Sequence, residues 1–98
     1  MVTGQLEIGE DKSLLLVDDD EPFLKRLAKA MDKRGFSVEQ ARSVAAGRAI
    51  ATARPPAYAV VDLRLEDGNG LDVVEVLRAK RPDTVSYTHL TLPTMLWV

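Results

Sequence analysis

The chain contains no cysteine. That excludes disulfides, thiolate metal sites and a thiol nucleophile, and it fits a cytoplasmic protein. Aromatic residues make up only 5% of the sequence, and the single histidine, His89, has no neighbour that suggests catalysis. No apolar run approaches the ~18 residues of a membrane span, and Met1-Val2-Thr3-Gly4-Gln5 lacks the basic and apolar regions of a signal peptide. Positive charge is neither abundant nor clustered. Thirteen Lys and Arg stand against 15 Asp and Glu, for a net charge of −2, so this chain by itself lacks the concentrated basic face of a nucleic-acid binder. At 98 residues it is one domain at most.

What is present is a repeated pattern. Ser13-Leu14-Leu15-Leu16-Val17 is an apolar run that ends in Asp18-Asp19-Asp20. Tyr58-Ala59-Val60-Val61 is a second, ending in Asp62 and followed by Leu63-Arg64-Leu65-Glu66-Asp67-Gly68-Asn69-Gly70. Continuous rather than alternating hydrophobicity suits strands buried on both faces, as in a parallel sheet covered by helices. If the two strands are parallel neighbours, Asp18, Asp19 and Asp62 meet at one edge.

Between and around these strands the order is readable. Residues 1–11 are polar without sustained periodicity and read as a mobile leader. Pro22 suits a first helical turn that Asp20 or Glu21 can cap. Phe23, Leu24, Leu27, Ala28 and Met31 then recur at helical spacing until Gly35, a C′ residue. Residues 36–41 alternate as a less buried, edge-like strand. Ser43 reads as the cap of a helix over Val44–Ala53 rather than as a nucleophile, because no His–Asp arrangement accompanies it. Leu71–Lys80 forms a third helix, with Leu71, Val73, Val74 and Leu77 inward, stopped by Arg81-Pro82-Asp83.

This βαβαβα order predicts an α/β, doubly wound parallel sheet with strand order 2-1-3. Ligands of such sheets bind beyond the carboxyl ends of strands where the winding direction switches, here between strands 1 and 3. Residues 84–92 have strand composition but no βα continuation behind them, so a fourth strand or disorder is expected there, with Leu96, Trp97 and Val98 as exposed apolar surface. Three convergent carboxylates repel one another, which makes a cation their natural occupant. Magnesium suits an all-oxygen site that must also meet phosphate, and an Asp beside it can attack phosphorus to give an aspartyl phosphate.

Val17-Asp18-Asp19-Asp20-Glu21-Pro22, Asp62-Leu63-Arg64-Leu65-Glu66-Asp67-Gly68 and Gly70-Leu71 together resemble the receiver domain of two-component response regulators, a flavodoxin-like (CheY-like) fold. The wording around Asp62 more closely resembles the RegA/ActR/PrrA group of redox-responsive transcriptional regulators. The resemblance implies that Asp62 is the phosphoacceptor, charged by a sensor histidine kinase. It also implies a Mg²⁺ site of Asp18, Asp19, Asp62 and the Arg64 backbone carbonyl. Gly68 and Gly70 would shape the turn, and Glu66 stands where many receivers have proline. Such a domain is a phosphoacceptor switch, not an enzyme. Full-length relatives bind DNA through a C-terminal domain that is missing here.

The resemblance covers residues 12–84, a partial receiver of three βα units. The fifth βα unit is absent, and neither the switch Thr or Ser nor the switch Lys can be assigned, although Thr84, Ser86, Thr88 and Thr91 lie in roughly the right region. Residues 85–98 read as a non-family tail, similar to what sequencing-adaptor read-through appends to a gene fragment. Two alternatives stand beside the receiver reading: a truncated, non-functional fragment, and a haloacid-dehalogenase-like phosphatase using Asp18 and Asp20. The second lacks the residues expected after Asp20 and the room for further motifs. A calcium loop fails on spacing, because Arg64 and Glu66 occupy its alternate positions.

Overall fold

The computed structural model describes residues 11–89 and 95–97, with the backbone alone for His89 and 95–97. Strand β1 (Ser13–Val17) leads through the acidic triplet into helix α1 (Glu21–Lys33). Asp20 caps this helix, its carboxylate accepting from the Phe23 N–H at 3.1 Å, and Pro22 occupies the first turn, where its missing N–H costs nothing. Gly35, at φ +93°, turns the chain out of the helix into β2 (Ser37–Ala41). Helix α2 (Val44–Ala53) follows, then β3 (Tyr58–Asp62). A small hairpin of β4 (Arg64–Leu65) and β5 (Gly68–Asn69) precedes helix α3 (Leu71–Lys80), and β6 (Val85–His89) and β7 (Met95–Trp97) come last.

The main sheet has the order β2-β1-β3-β6-β7. β1 pairs in parallel with β2 and β3, and β3 pairs in parallel with β6. The expected 2-1-3 order is therefore present. The stretch expected to be a fourth strand or disorder is a parallel strand, Val85–His89, and Met95–Trp97 returns antiparallel beside it. The anticipated surface of Leu96, Trp97 and Val98, residues 1–10 of the leader expected over 1–11, and the hydroxyl of Thr91 lie outside the described side chains; Asp11, the last residue of that leader, is tied to Ser13 and Arg81. Of the other hydroxyls, Thr84 Oγ1 donates to the Pro56 carbonyl at 2.7 Å, and Ser86 and Thr88 are buried in β6.

Strand geometry sends alternate side chains to opposite faces, and each face has its own core. On one, Leu15, Val17, Ala59 and Val61 pack with Val44 and Ala51 of α2 and with Val73, Val74 and Leu77 of α3. On the other, Leu14 and Leu16 meet Leu24 and Ala28 of α1. Gly47 lets α2 approach closely, since a Cβ there would lie 3.0 Å from Val73 Cγ2 and 3.2 Å from Val17 Cγ2. The α1 face carries a single described helix, and Tyr58, Val60, Val85 and Tyr87 line an open apolar groove beside it. One expectation fails. Leu71 is 42% exposed, because at the first position of α3 its side chain has not yet rotated onto the sheet-facing stripe that begins at Val73.

Candidate functional site

The parallel pairing of β1 with β3 puts Val17 level with Val61, so both strands end at the same edge of the sheet. The residues that follow are carboxylates. Asp18 and Asp62 are both 5% exposed, whereas Asp19 faces solvent. Carboxylate oxygens of Asp18, Asp19 and Asp62 lie within 4.8 Å of one another, an acidic pocket that can hold a metal ion. Asp20 does not join them. Its side chain turns back to cap α1.

The buried carboxylates are held by backbone donors. Asp18 Oδ1 accepts from the Asp20 N–H at 2.9 Å, and the Asp18 N–H donates to the Ala41 carbonyl at 3.0 Å. Asp62 Oδ1 accepts from the Arg64 N–H at 3.0 Å. Arg64, whose carbonyl is a candidate ligand, belongs to the β4–β5 hairpin directly after the site. The hairpin is a structural element of which the sequence shows only the turn, at Gly68 and Gly70. Two-residue strands are too short to show a period, and the burial of Leu65 in the α2–α3 core has no local signal.

Gly70 closes the hairpin against the site. Its N–H donates to the Leu63 carbonyl at 3.1 Å, and a Cβ built on it would lie 2.0 Å from the Asp62 carbonyl oxygen. The requirement for glycine here is one of space. Gly68 sits at φ +150°, a conformation that side chains disfavour. Beside Asp19 the surface opens into a cleft lined also by Gln40, Arg42, Ser43 and Glu66. Arg42 is the cation at this cleft, and its guanidinium is paired with Glu21 at 2.8 Å. Arg42 and Lys25 together hold the Glu21 carboxyl below its usual range, with the Lys25 contact the larger cause.

Asp67 takes a role that its place in a turn motif did not reveal. Its Oδ1 accepts from the Val44 N–H at 2.8 Å and its Oδ2 from the Ala45 N–H at 3.1 Å, both at the start of α2. These bonds lower its pKa, Val44 contributing most. The contact spans more than twenty residues, so only the fold brings the partners together.

Comparison with known proteins agrees with this architecture. The family model described as response regulator receiver domain matches residues 14–92. The photosynthetic apparatus regulatory protein RegA of Cereibacter sphaeroides is 83% identical over 77 residues, covering 79% of this chain and 42% of that protein. The acid tolerance regulatory protein ActR of Rhizobium meliloti is 65% identical over 77 residues, covering 79% of this chain and 40% of that protein. The chain thus spans less than half the length of these relatives. A crystal structure of a response regulator from Burkholderia pseudomallei, with a phosphorylated aspartic acid, calcium ion and citrate, superposes with a TM-score of 0.79 at 30% identity. That match covers 86% of this chain and 49% of the other. With this sheet order, this acidic edge and these relatives, the chain belongs to the response regulator receiver domain family, the phosphorylation-capable module of two-component signalling.

Proposed function

We propose that Asp62 accepts a phosphoryl group from a sensor histidine kinase in a site assembled with Mg²⁺. The observation that carries this reading is the convergence of the Asp18, Asp19 and Asp62 carboxylates at one sheet edge, two of them buried. A hard, all-oxygen donor set of this kind suits Mg²⁺, and the mutual repulsion of three acids favours a bound cation. Asp18, Asp19, Asp62 and the Arg64 carbonyl are the groups that would hold it. When bound, Mg²⁺ supplies charge neutralisation for the incoming phosphoryl oxygens.

The chain's own residues do the positioning. The Arg64 N–H fixes one oxygen of Asp62 and so restrains the carboxylate that lies beside those of Asp18 and Asp19. A carboxylate oxygen of Asp62 bonds to phosphorus as the phosphorus–nitrogen bond of the donor phosphohistidine breaks, and the departing imidazole takes up a proton. The product is an acyl phosphate. It adds negative charge at the carboxyl edge between β3 and β6, where Thr88 of β6 lies buried level with Val61.

The chain then works as a phosphoacceptor switch rather than as a turnover enzyme, in the cytoplasm, where a kinase can reach it. No helix among the described residues is long and apolar enough to cross a membrane. We place the receiver unit at residues 12–84 by residue type, with 1–11 as leader and 85–98 as a tail of foreign character, although β6 of that tail fills a sheet position and the family match extends to residue 92. The relatives are named as regulatory proteins, and we infer that any control of transcription draws on the larger part of those proteins that this chain does not span.

The test is a Mg²⁺ titration followed by backbone amide shifts, then addition of acetyl phosphate. Saturable shifts confined to residues around Asp18, Asp19 and Asp62, lost in Asp19→Asn, are expected. Shifts that never saturate, or that persist unchanged in Asp19→Asn, refute the site.

A further inference from the structure

The first four N–H groups of a helix have no partner inside it and must find one elsewhere. At α2 the supply is divided in an unusual way. The Ser43 hydroxyl takes the Ala46 N–H at 3.0 Å, while the Gly47 N–H already makes the first bond inside the helix, to the Ser43 carbonyl at 3.0 Å. The first two, Val44 and Ala45, are both taken by one carboxylate, that of Asp67, which belongs to a different part of the chain. Asp67 stands at the tip of the β4–β5 hairpin, between the paired residues Leu65 and Gly68.

The hairpin is therefore fastened to α2 at three points. Asp67 accepts two charge-assisted hydrogen bonds, Leu65 is buried in the core that includes Val44, and Gly68 lies where an added Cβ would meet Val44 Cγ2 at 3.5 Å. The other end of the same hairpin touches the acidic pocket. Arg64 pairs with Asn69 in the hairpin, and its N–H holds the Asp62 carboxylate. A displacement of the hairpin from α2 thus moves the donor that orients Asp62, the candidate carbonyl ligand of the same residue, and Glu66 at the cleft.

We propose that Asp67 is a positioning residue for phosphoryl acceptance: by clamping the hairpin to the N-terminus of α2 it holds Arg64 in register with Asp62 and so sets the affinity of the acidic pocket for Mg²⁺. The inference rests on the phosphoacceptor reading given above. Asp67 touches neither the metal nor the phosphoryl group in this scheme, and its effect passes through Arg64. An aspartate is suited to the task because two oxygens meet two adjacent N–H groups, and because a carboxylate is favoured at the positive end of a helix. Asparagine offers a single acceptor oxygen and turns an N–H₂ toward a donor.

The experiment compares four versions of this 98-residue chain: wild type, Asp67→Ala, Asp67→Asn and Ser43→Ala. Ser43→Ala removes a cap from the same helix end without touching the hairpin, so it reports the loss of α2 stability alone. Mg²⁺ affinity is read from amide shifts and the rate of phosphoryl uptake from acetyl phosphate, with thermal unfolding of each variant recorded alongside. Asp67→Ala is expected to weaken Mg²⁺ by about tenfold, the usual size of an effect acting through a ligand's support. Asp67→Asn should fall between it and wild type, and Ser43→Ala should match wild type in Mg²⁺ affinity despite a comparable drop in melting temperature. Equal Mg²⁺ affinity in Asp67→Ala and wild type, or equal weakening in Asp67→Ala and Ser43→Ala, overturns the proposal. If wild type itself shows no saturable Mg²⁺ response, the phosphoacceptor reading fails. Amide exchange then decides the clamp separately: faster exchange from Arg64 to Asn69 in Asp67→Ala supports it, and unchanged exchange overturns it.

Discussion

Replacing Gly70 by alanine would place a methyl carbon 2.0 Å from the Asp62 carbonyl oxygen, 2.8 Å from Val61 Cγ1 and 3.0 Å from the Asp62 carbonyl carbon. Ordinary contact begins near 3.4 Å, so the deepest of these overlaps exceeds 1 Å. The obstacle is main chain, not the end of a flexible side chain, and it cannot rotate away. Asp62 closes β3, whose preceding residues are hydrogen-bonded to β1 on one side and β6 on the other. Relief must come from moving the hairpin, which also breaks the Gly70 N–H bond to Leu63. Overpacking in a well-ordered interior costs about 1–3 kcal/mol, and a clash with backbone belongs at or above the upper end, about 3 kcal/mol. For a domain of this size that is a large share of the ~5–15 kcal/mol of total stability, and a fall in melting temperature of roughly 12–24 °C. Urea denaturation followed by circular dichroism measures it, with the slope unchanged if the denatured state is unaffected. Gly47→Ala is the control. The nearest atoms to its new methyl are side-chain carbons of Val73 and Val17, at 3.0 Å and beyond, and the gain in helix propensity of about 1 kcal/mol offsets part of the crowding, so it should cost less than Gly70→Ala. A Gly70→Ala protein within about 1 kcal/mol of wild type would refute the seating of the hairpin against Asp62.

Three further outcomes follow from the same structure. Leu15→Ala, in the core between β1 and the α2–α3 layer, should cost about 2–5 kcal/mol, whereas Leu71→Ala should cost less than about 1 kcal/mol because that residue is already 42% exposed; chemical denaturation separates the two. Asp11 has its pKa lowered to about 2, chiefly by the hydrogen bonds from Ser13 and further by Arg81 at 2.7 Å. A depressed folded-state value means this contribution to stability is present above the unfolded value of 3.8 and is lost as pH falls through about 2. Asp11→Asn should therefore flatten the fall in melting temperature over that acid range; an unchanged slope contradicts the assignment. Ser43→Ala should lower stability by about 1 kcal/mol through loss of the α2 cap, read by urea titration at neutral pH.

The parts of this protein legible in its sequence are those governed by local rules. Apolar runs ending in acid place Asp18, Asp19 and Asp62 at strand ends, and the edge character of residues 36–41 leads to the 2-1-3 order. Asp20, Ser43 and Gly35 mark helix ends because capping chemistry is a nearest-neighbour matter. What escaped the sequence depends on distant contacts. The Asp67 carboxylate finds its donors on another helix, and Gly70 and Gly47 are small because of what the fold presses against them. Leu71 looked inward by composition but begins its helix on the solvent side. The strand character of residues 84–92 was visible, while its place beside β3 required the sheet.

The central claim is that Asp62, and no other acid of the pocket, carries the phosphoryl group. Treatment with acetyl phosphate and Mg²⁺, followed by borohydride reduction of the acyl phosphate to an alcohol and peptide mass mapping, locates the modified residue directly. The account predicts homoserine at position 62 alone. Reduction at Asp18, Asp19 or Glu66, or unmodified Asp62 in a protein that binds Mg²⁺ saturably, would contradict it.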